Sequence, residues 1–230
     1  MSSCRSSVAS CAGSRHPREP DARQLRSPQV LVRQGVRDPS TRQLRAIQDR
    51  GRGSHLNERA VTGSTKGLVA ERFHDDGSFP NSRFPLLLYR EALPPEAVSP
   101  EAMEAMFAVC GWPPAWRSSV FTYHHYHSTA HEVLGVASGS ARLMLGGPKG
   151  REFDVRAGDV IVIPAGVGHR RLSSSPGFLV VGGYPPGQTW DLLRGEPGER
   201  PRADENIAAV PLPGTDPVTG RPDPLLTHWT

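Results

Sequence analysis

The first 60 residues contain no aromatic residue and no lysine, yet they carry twelve arginines against five acidic residues. Without aromatic rings the segment has no surface on which bases stack, so its charge does not make it a nucleic-acid reader. Its repeated Ser, Gly and Arg read as a solvated, disordered leader over residues 1–64, with a short helical pattern near Thr41–Asp49. The composition has something of a transit peptide, but Pro17, Pro20, Pro28 and Pro39 break any amphipathic helix. The pI of 9.3 belongs to this leader. The rest of the chain holds fifteen basic and eighteen acidic residues and is mildly acidic.

Cysteine is scarce as well. Of Cys4, Cys11 and Cys110, the first two lie in the leader, which leaves no disulfide framework and fits a reducing compartment. No run approaches the ~18 apolar residues of a membrane-spanning helix, and the N-terminus has no apolar core of signal-peptide type. A cytoplasmic protein with no membrane and no nucleic-acid partner is expected. The apolar fraction is only 37%, and 24 Gly with 23 Pro make up about a fifth of the chain. One compact domain, residues 65–230, is expected.

The domain opens with a predicted strand at Gly67–Phe73, a turn at His74–Gly77, and a buried strand or short apolar plug at Leu86–Tyr89. Ser99 to Gly111 carries the clearest helix pattern. Ser99 suits the cap, Pro100 the first helical position, and Gly111 the left-handed residue beyond the end. Met103, Met106, Phe107 and Cys110 recur at helical spacing and form a docking face. Trp112 to Trp116 reads as a rigid aromatic corner. From there the pattern is all-β, with strands predicted at Val120–His127, Glu132–Ala137, Ala141–Leu145, Glu152–Arg156, Val160–Ile163, His169–Ser173 and Phe178–Gly183. Short strands at this spacing indicate a sandwich, barrel or jelly roll. After Tyr184 a Pro- and Gly-rich stretch is expected to wrap the barrel as an extended strap, anchored by Ile207, Val210, Leu212, Leu225, Leu226 and Trp229.

Four of the nine histidines fall between Tyr123 and Gly139. On a strand, alternation puts His125 and His127 on one face and His124 and Tyr126 on the other. Glu132 follows at the head of the next strand, and Pro164-Ala165-Gly166 turns the chain to deliver His169. Three imidazoles and a carboxylate suit a first-row divalent ion and leave positions open for water and substrate. Tyr123 shares the His125 face, as a hydrogen-bond donor or as packing. Arg171 points inward by alternation, as a clamp for a carboxylate or phosphate or as a rim ion pair. His131 reads as a donor to Glu132, a catalytic base, or a solvated turn histidine, the last being preferred. A zinc-protease pairing of His127 with His131 is rejected, because Ser128 stands where that motif needs Glu.

These residues resemble the cupin superfamily. Its first motif, two His one residue apart, then Glu, then Gly, is matched by His125, His127, Glu132 and Gly139. Its second is matched by Gly158, Pro164, Gly166 and His169, with Ser173 where Asn is usual. The wider text, Phe84 to Tyr89, Trp112 to Trp116 and His127 to Val136, is similar to a family of uncharacterised bacterial single-domain cupins, from about residue 70 onward. The resemblance implies a double-stranded β-helix, a jelly-roll barrel, with one N-terminal helix packed on it. It implies a divalent transition metal (Fe, Mn, Ni or Zn) held by His125, His127, Glu132 and His169, and in many members a homodimer. It points to a small-molecule metalloenzyme of oxygenase or isomerase type, or else to a non-catalytic cupin that binds or senses a metal or small ligand.

Overall fold

A computed structural model describes residues 62–230; the leader and its short helical pattern lie outside the described residues. Nine antiparallel strands form two sheets. They are β1 (Gly67–Glu71), β2 (Leu86–Arg90), β3 (Pro114–Ser118), β4 (Glu132–Ser138), β5 (Ser140–Leu145), β6 (Arg151–Arg156), β7 (Val160–Ile163), β8 (His169–Ser174) and β9 (Leu179–Gly183). One sheet has the order β1-β2-β7-β4-β9-β3, and the other β6-β5-β8. This is the jelly-roll barrel that the sequence resemblance implies. No helix among the described residues is long and apolar enough to cross a membrane.

The six-stranded sheet is apolar on both faces, and each face has its own core. Inward, Leu88, Leu134, Val136, Ile161, Ile163 and Val180 meet Ala141, Leu143 and Leu145 of β5. Outward, Leu87, Tyr89, Val133, Val160, Val162 and Val181 pack beneath helix α1 (Pro100–Val109) and the short helix α3 (Leu225–Trp229). A fully buried aliphatic or aromatic side chain stabilises by about 1.5–3 kcal/mol. An exposed ion pair such as Arg142–Asp154 is screened by solvent and contributes little. The two apolar layers therefore hold the sheets together.

Helix α1 starts where its sequence says it should. The Ser99 hydroxyl accepts from the Ala102 N–H at 3.1 Å, and Pro100 occupies the first turn. Met103, Met106 and Phe107 are fully buried. Met103 and Phe107 sit directly on Gly135 of β4, where a Cβ would lie 2.8 Å from the Met103 sulfur and 2.9 Å from the Phe107 ring.

Three expectations are corrected. Val120–His127 is no ladder strand: His125 pairs only with His169, and Tyr126 only with Leu193, as isolated bridges. The segment runs between the head of β8 and the C-terminal strap, and forms one bridge with each, plus a single bond from the Arg171 N–H to the Phe121 carbonyl at 2.8 Å. The aromatic corner at Trp112–Trp116 is in part a strand, β3, paired to β9 on the sheet edge, where a leading proline costs no ladder bond. The strap is not extended throughout. It contains α2 (Arg202–Ala209), with Ala203 buried and Ile207 packed beside it, and α3, which buries Leu225 and Trp229. Of the remaining expected anchors, Leu212 is exposed.

Candidate metal centre

The centre forms where three backbone segments meet on the barrel interior. Glu132 opens β4 and His169 opens β8, while His125 and His127 come from the extended segment before β4. Two main-chain bonds tie His125 to His169, with N–H to carbonyl distances of 3.2 and 2.9 Å. The Gly166 N–H donates to the His127 carbonyl at 2.8 Å. Gly166 has φ +92° and a Cβ there would meet the Asn81 carbonyl at 2.3 Å, so the turn that delivers His169 requires glycine. Gly158 plays the same part before β7, at φ +98° against the Leu93 carbonyl.

All four side chains are buried: His125, His127, Glu132 and His169 are 3%, 6%, 2% and 2% exposed. One nitrogen from each of the three histidines lies within 4.8 Å of the others. In each ring Nδ1 faces a main-chain carbonyl, of Tyr123 for His125 (3.2 Å), Val167 for His169 (3.1 Å) and Asp191 for His127. A carbonyl only accepts, so Nδ1 carries the proton and the Nε2 lone pairs are left to point inward.

Glu132 completes the arrangement. Its Oε1 accepts from the Tyr184 hydroxyl at 3.0 Å and lies 3.6 Å from His127 Nε2. Its Oε2 is buried, receives no hydrogen bond, and lies 3.2 Å from His169 Nε2. With the His169 proton on Nδ1, two lone pairs face each other across that gap. Such a contact is favourable with a proton or a metal ion between the two atoms, and this donor set fits a divalent transition metal.

The electrostatics are consistent with that fit. Burial, and then the neighbouring His169, push His125 well below the usual histidine range, so it stays a free base. Burial alone would lower His127 too, but the Glu132 carboxylate outweighs it and the pKa is raised. Burial opposes ionisation of Glu132, yet His127 and His169 together hold it well below the ordinary carboxylate value.

The other predicted site residues have partners of their own. His131 is 1% exposed, its Nδ1 accepting from the Ala165 N–H at 2.9 Å and its ring 4.7 Å from that of Trp229. The preferred reading as a solvated turn histidine is thereby corrected: the strap buries it on the outer side of the sheet. Arg171 donates to the Val120 carbonyl (3.2 Å) and to the Ser174 hydroxyl (2.9 Å). Tyr123 is half-buried, stacked on Phe121 at 4.8 Å and 5.8 Å from the His125 ring. The Arg194 guanidinium covers its ring at 4.2 Å.

Tyr184, Trp190, Asp191 and Arg194 went unnoticed in the sequence. Tyr184 carried a signal, since it continues the inward alternation of Val180 and Gly182 beside Glu132. Asp191 carried none, because it acts on His127 through its main chain.

The profile described as Cupin domain matches residues 112–177. The Bacillus subtilis (strain 168) protein YjlB, itself uncharacterised, is 46% identical over 158 residues, covering 68% of this chain and 93% of that protein. The chain belongs to the cupin superfamily. Among solved structures, oxalate decarboxylase OxdC of Bacillus subtilis is 20% identical, with 48% of this cupin and 22% of that chain covered and a TM-score of 0.28. This cupin thus spans about a fifth of that enzyme's length. A DUF861 family protein from Thermotoga maritima is 19% identical, with 37% and 91% covered and a TM-score of 0.26.

Proposed function

We propose that this cupin is a metal-dependent enzyme acting on a small molecule, of oxygenase or isomerase type. The metal would be one divalent transition ion held by the Nε2 atoms of His125, His127 and His169 and by Oε2 of Glu132. The observation that carries the reading is the buried, undonated Glu132 Oε2 facing His169 Nε2 at 3.2 Å.

A bound ion supplies Lewis acidity and, if redox-active, electron transfer. Three neutral imidazoles and one carboxylate leave a divalent centre with net positive charge, which favours an anionic or chelating ligand. Arg194, exposed and stacked over Tyr123, adds a cation at the rim for a carboxylate or phosphate, a role open to it because Arg171 is engaged by Val120 and Ser174. Phe121, Tyr123 and Trp190 pack around His125 and His127 and keep bulk water from the ligand nitrogens. Tyr184 holds a proton on its hydroxyl, because burial and the Glu132 charge raise its pKa far above neutrality.

The test is metal content by inductively coupled plasma mass spectrometry on the full chain, with His169→Ala and Glu132→Ala beside it. One equivalent of a transition metal in the parent, lost in both variants, is expected. A parent that takes up none of Fe(II), Mn(II), Ni(II) or Zn(II) under anaerobic reconstitution would sink the reading. Dioxygen uptake by the Fe(II)-loaded protein over thiols, diketones and catechols then separates turnover from binding alone.

A further inference from the structure

Glu132 does not stand alone in the barrel. Its Oε1 accepts from the Tyr184 hydroxyl at 3.0 Å, and that hydroxyl in turn accepts from the Trp116 indole N–H at 3.0 Å. The direction of the chain is settled by chemistry. An indole nitrogen only donates, so it takes a lone pair of the Tyr184 oxygen, and the phenolic proton goes to the carboxylate. Each member is held in place. Trp116 lies flat on Gly182, where a Cβ would meet its ring at 2.2 Å. Trp190 stacks on Tyr184 at 6.0 Å and 20° and reaches the His127 ring at 5.6 Å.

We infer that Tyr184, aligned by Trp116, is a positioning residue that makes Glu132 a one-oxygen metal ligand. The inference rests on the metal reading above. With one lone pair of Oε1 taken by the phenol, Oε2 is the better ligand atom, and rotation of the carboxylate or chelation through both oxygens is disfavoured. A coordination position that a two-oxygen carboxylate would fill is thereby kept for substrate. Without the phenol, Oε1 is a second anionic atom at the centre with no donor, and the cheapest partner for it is the metal itself.

The experiment titrates the full chain, stripped of metal, with Mn(II) and with Co(II), for the parent, Tyr184→Phe, Trp116→Phe and the double variant. Affinity is read by calorimetry and coordination by the visible absorption of Co(II). Tyr184→Phe is expected to weaken Mn(II) binding about 10–100-fold and to shift the Co(II) bands toward higher coordination. Trp116→Phe should move both readouts less and in the same direction, and should add little once Tyr184 is Phe, because it acts through the phenol. Circular dichroism of the metal-free variants shows whether each has kept its fold; if Tyr184→Phe has not, the Trp116→Phe titration decides. Unchanged Co(II) bands and affinity in a folded Tyr184→Phe would overturn the inference while leaving the metal centre intact. A parent that binds neither ion overturns both.

Discussion

His127 and Glu132 share a proton's worth of competition with the metal. Below the raised pKa of His127 a proton sits on Nε2 and pairs with the carboxylate; above it, Nε2 is free for the ion. Mn(II) affinity should therefore climb with pH through a midpoint above the ordinary histidine value of 6.5 and then level off. Glu132→Gln removes the charge that raises His127, so its midpoint should move down while its plateau affinity falls. Titrations across a pH series measure both, and a parent midpoint below 6.5 contradicts the assignment. In the metal-free protein the His127 effect runs in the opposite sense. The raised histidine stabilises the fold below its unfolded value of 6.5 and loses that effect as pH rises through the folded one. The depressed carboxylate stabilises above 4.5 and loses its effect on acidification. His125 and His131, held below 6.5 by burial, cost stability as acid forces protons onto them and oppose the His127 effect. The metal-free Tm should therefore fall on acidification below 6.5, and the Tm gain on adding Mn(II) should be larger at alkaline pH. The ligand residues themselves were legible, because two-residue alternation and the spacing to Glu132 and His169 are local facts. His131 was not, because its burial depends on Trp229, which no local pattern places against it.

At the scale of elements, α1 was legible because a capping serine, a leading proline and a spaced apolar face agree with one another. Its seat was less so, since Gly135 sits in the middle of a strand, where glycine weakens pairing. The structure supplies the reason in the contact with Met103 and Phe107. Gly135→Val forces the helix off the sheet and should cost about 1–3 kcal/mol as an overpacking change. Met103→Ala leaves a void at the same contact and should cost about 2–5 kcal/mol. Urea denaturation measures both, and a neutral Gly135→Val means that α1 does not bear on β4. The elements that escaped sequence reading share a cause. β3 and the His125 segment pair at single registers or on an edge, and α2 and α3 are one- or two-turn helices behind Pro201 and Pro224. Their order comes from distant partners and not from their own periodicity.

Across the whole molecule, the jelly roll was legible from the evenly spaced short strands. Val160–Ile163, apolar on both faces, already signalled a strand covered on both sides. What covers it came from far along the chain: Trp229 donates to the Pro85 carbonyl at 2.9 Å and stacks on Phe84 at 5.3 Å. The segment after β9 belongs to the barrel in the same way. The Asp191 carboxylate receives the Ser128 N–H at 2.6 Å, Gln188 receives the His131 N–H at 2.9 Å, and Tyr126 donates to Glu199 at 2.9 Å.

The bond from the His127 ring at Nδ1 to the Asp191 carbonyl joins the centre to the main chain of that segment. Whatever seats His127 also seats the strap. Occupying the site should then slow protease cleavage at the open glycine turns Gly187 and Gly198, where a Cβ would meet nothing within 4 Å. Ligand at a hundredfold its Kd stabilises by about 2.7 kcal/mol, which is a large change in the population of an opened segment. Limited proteolysis of the full chain with and without Mn(II) measures the effect, and equal cleavage rates would sever the link. With the link in place, metal supply would set how long each molecule lasts against a protease.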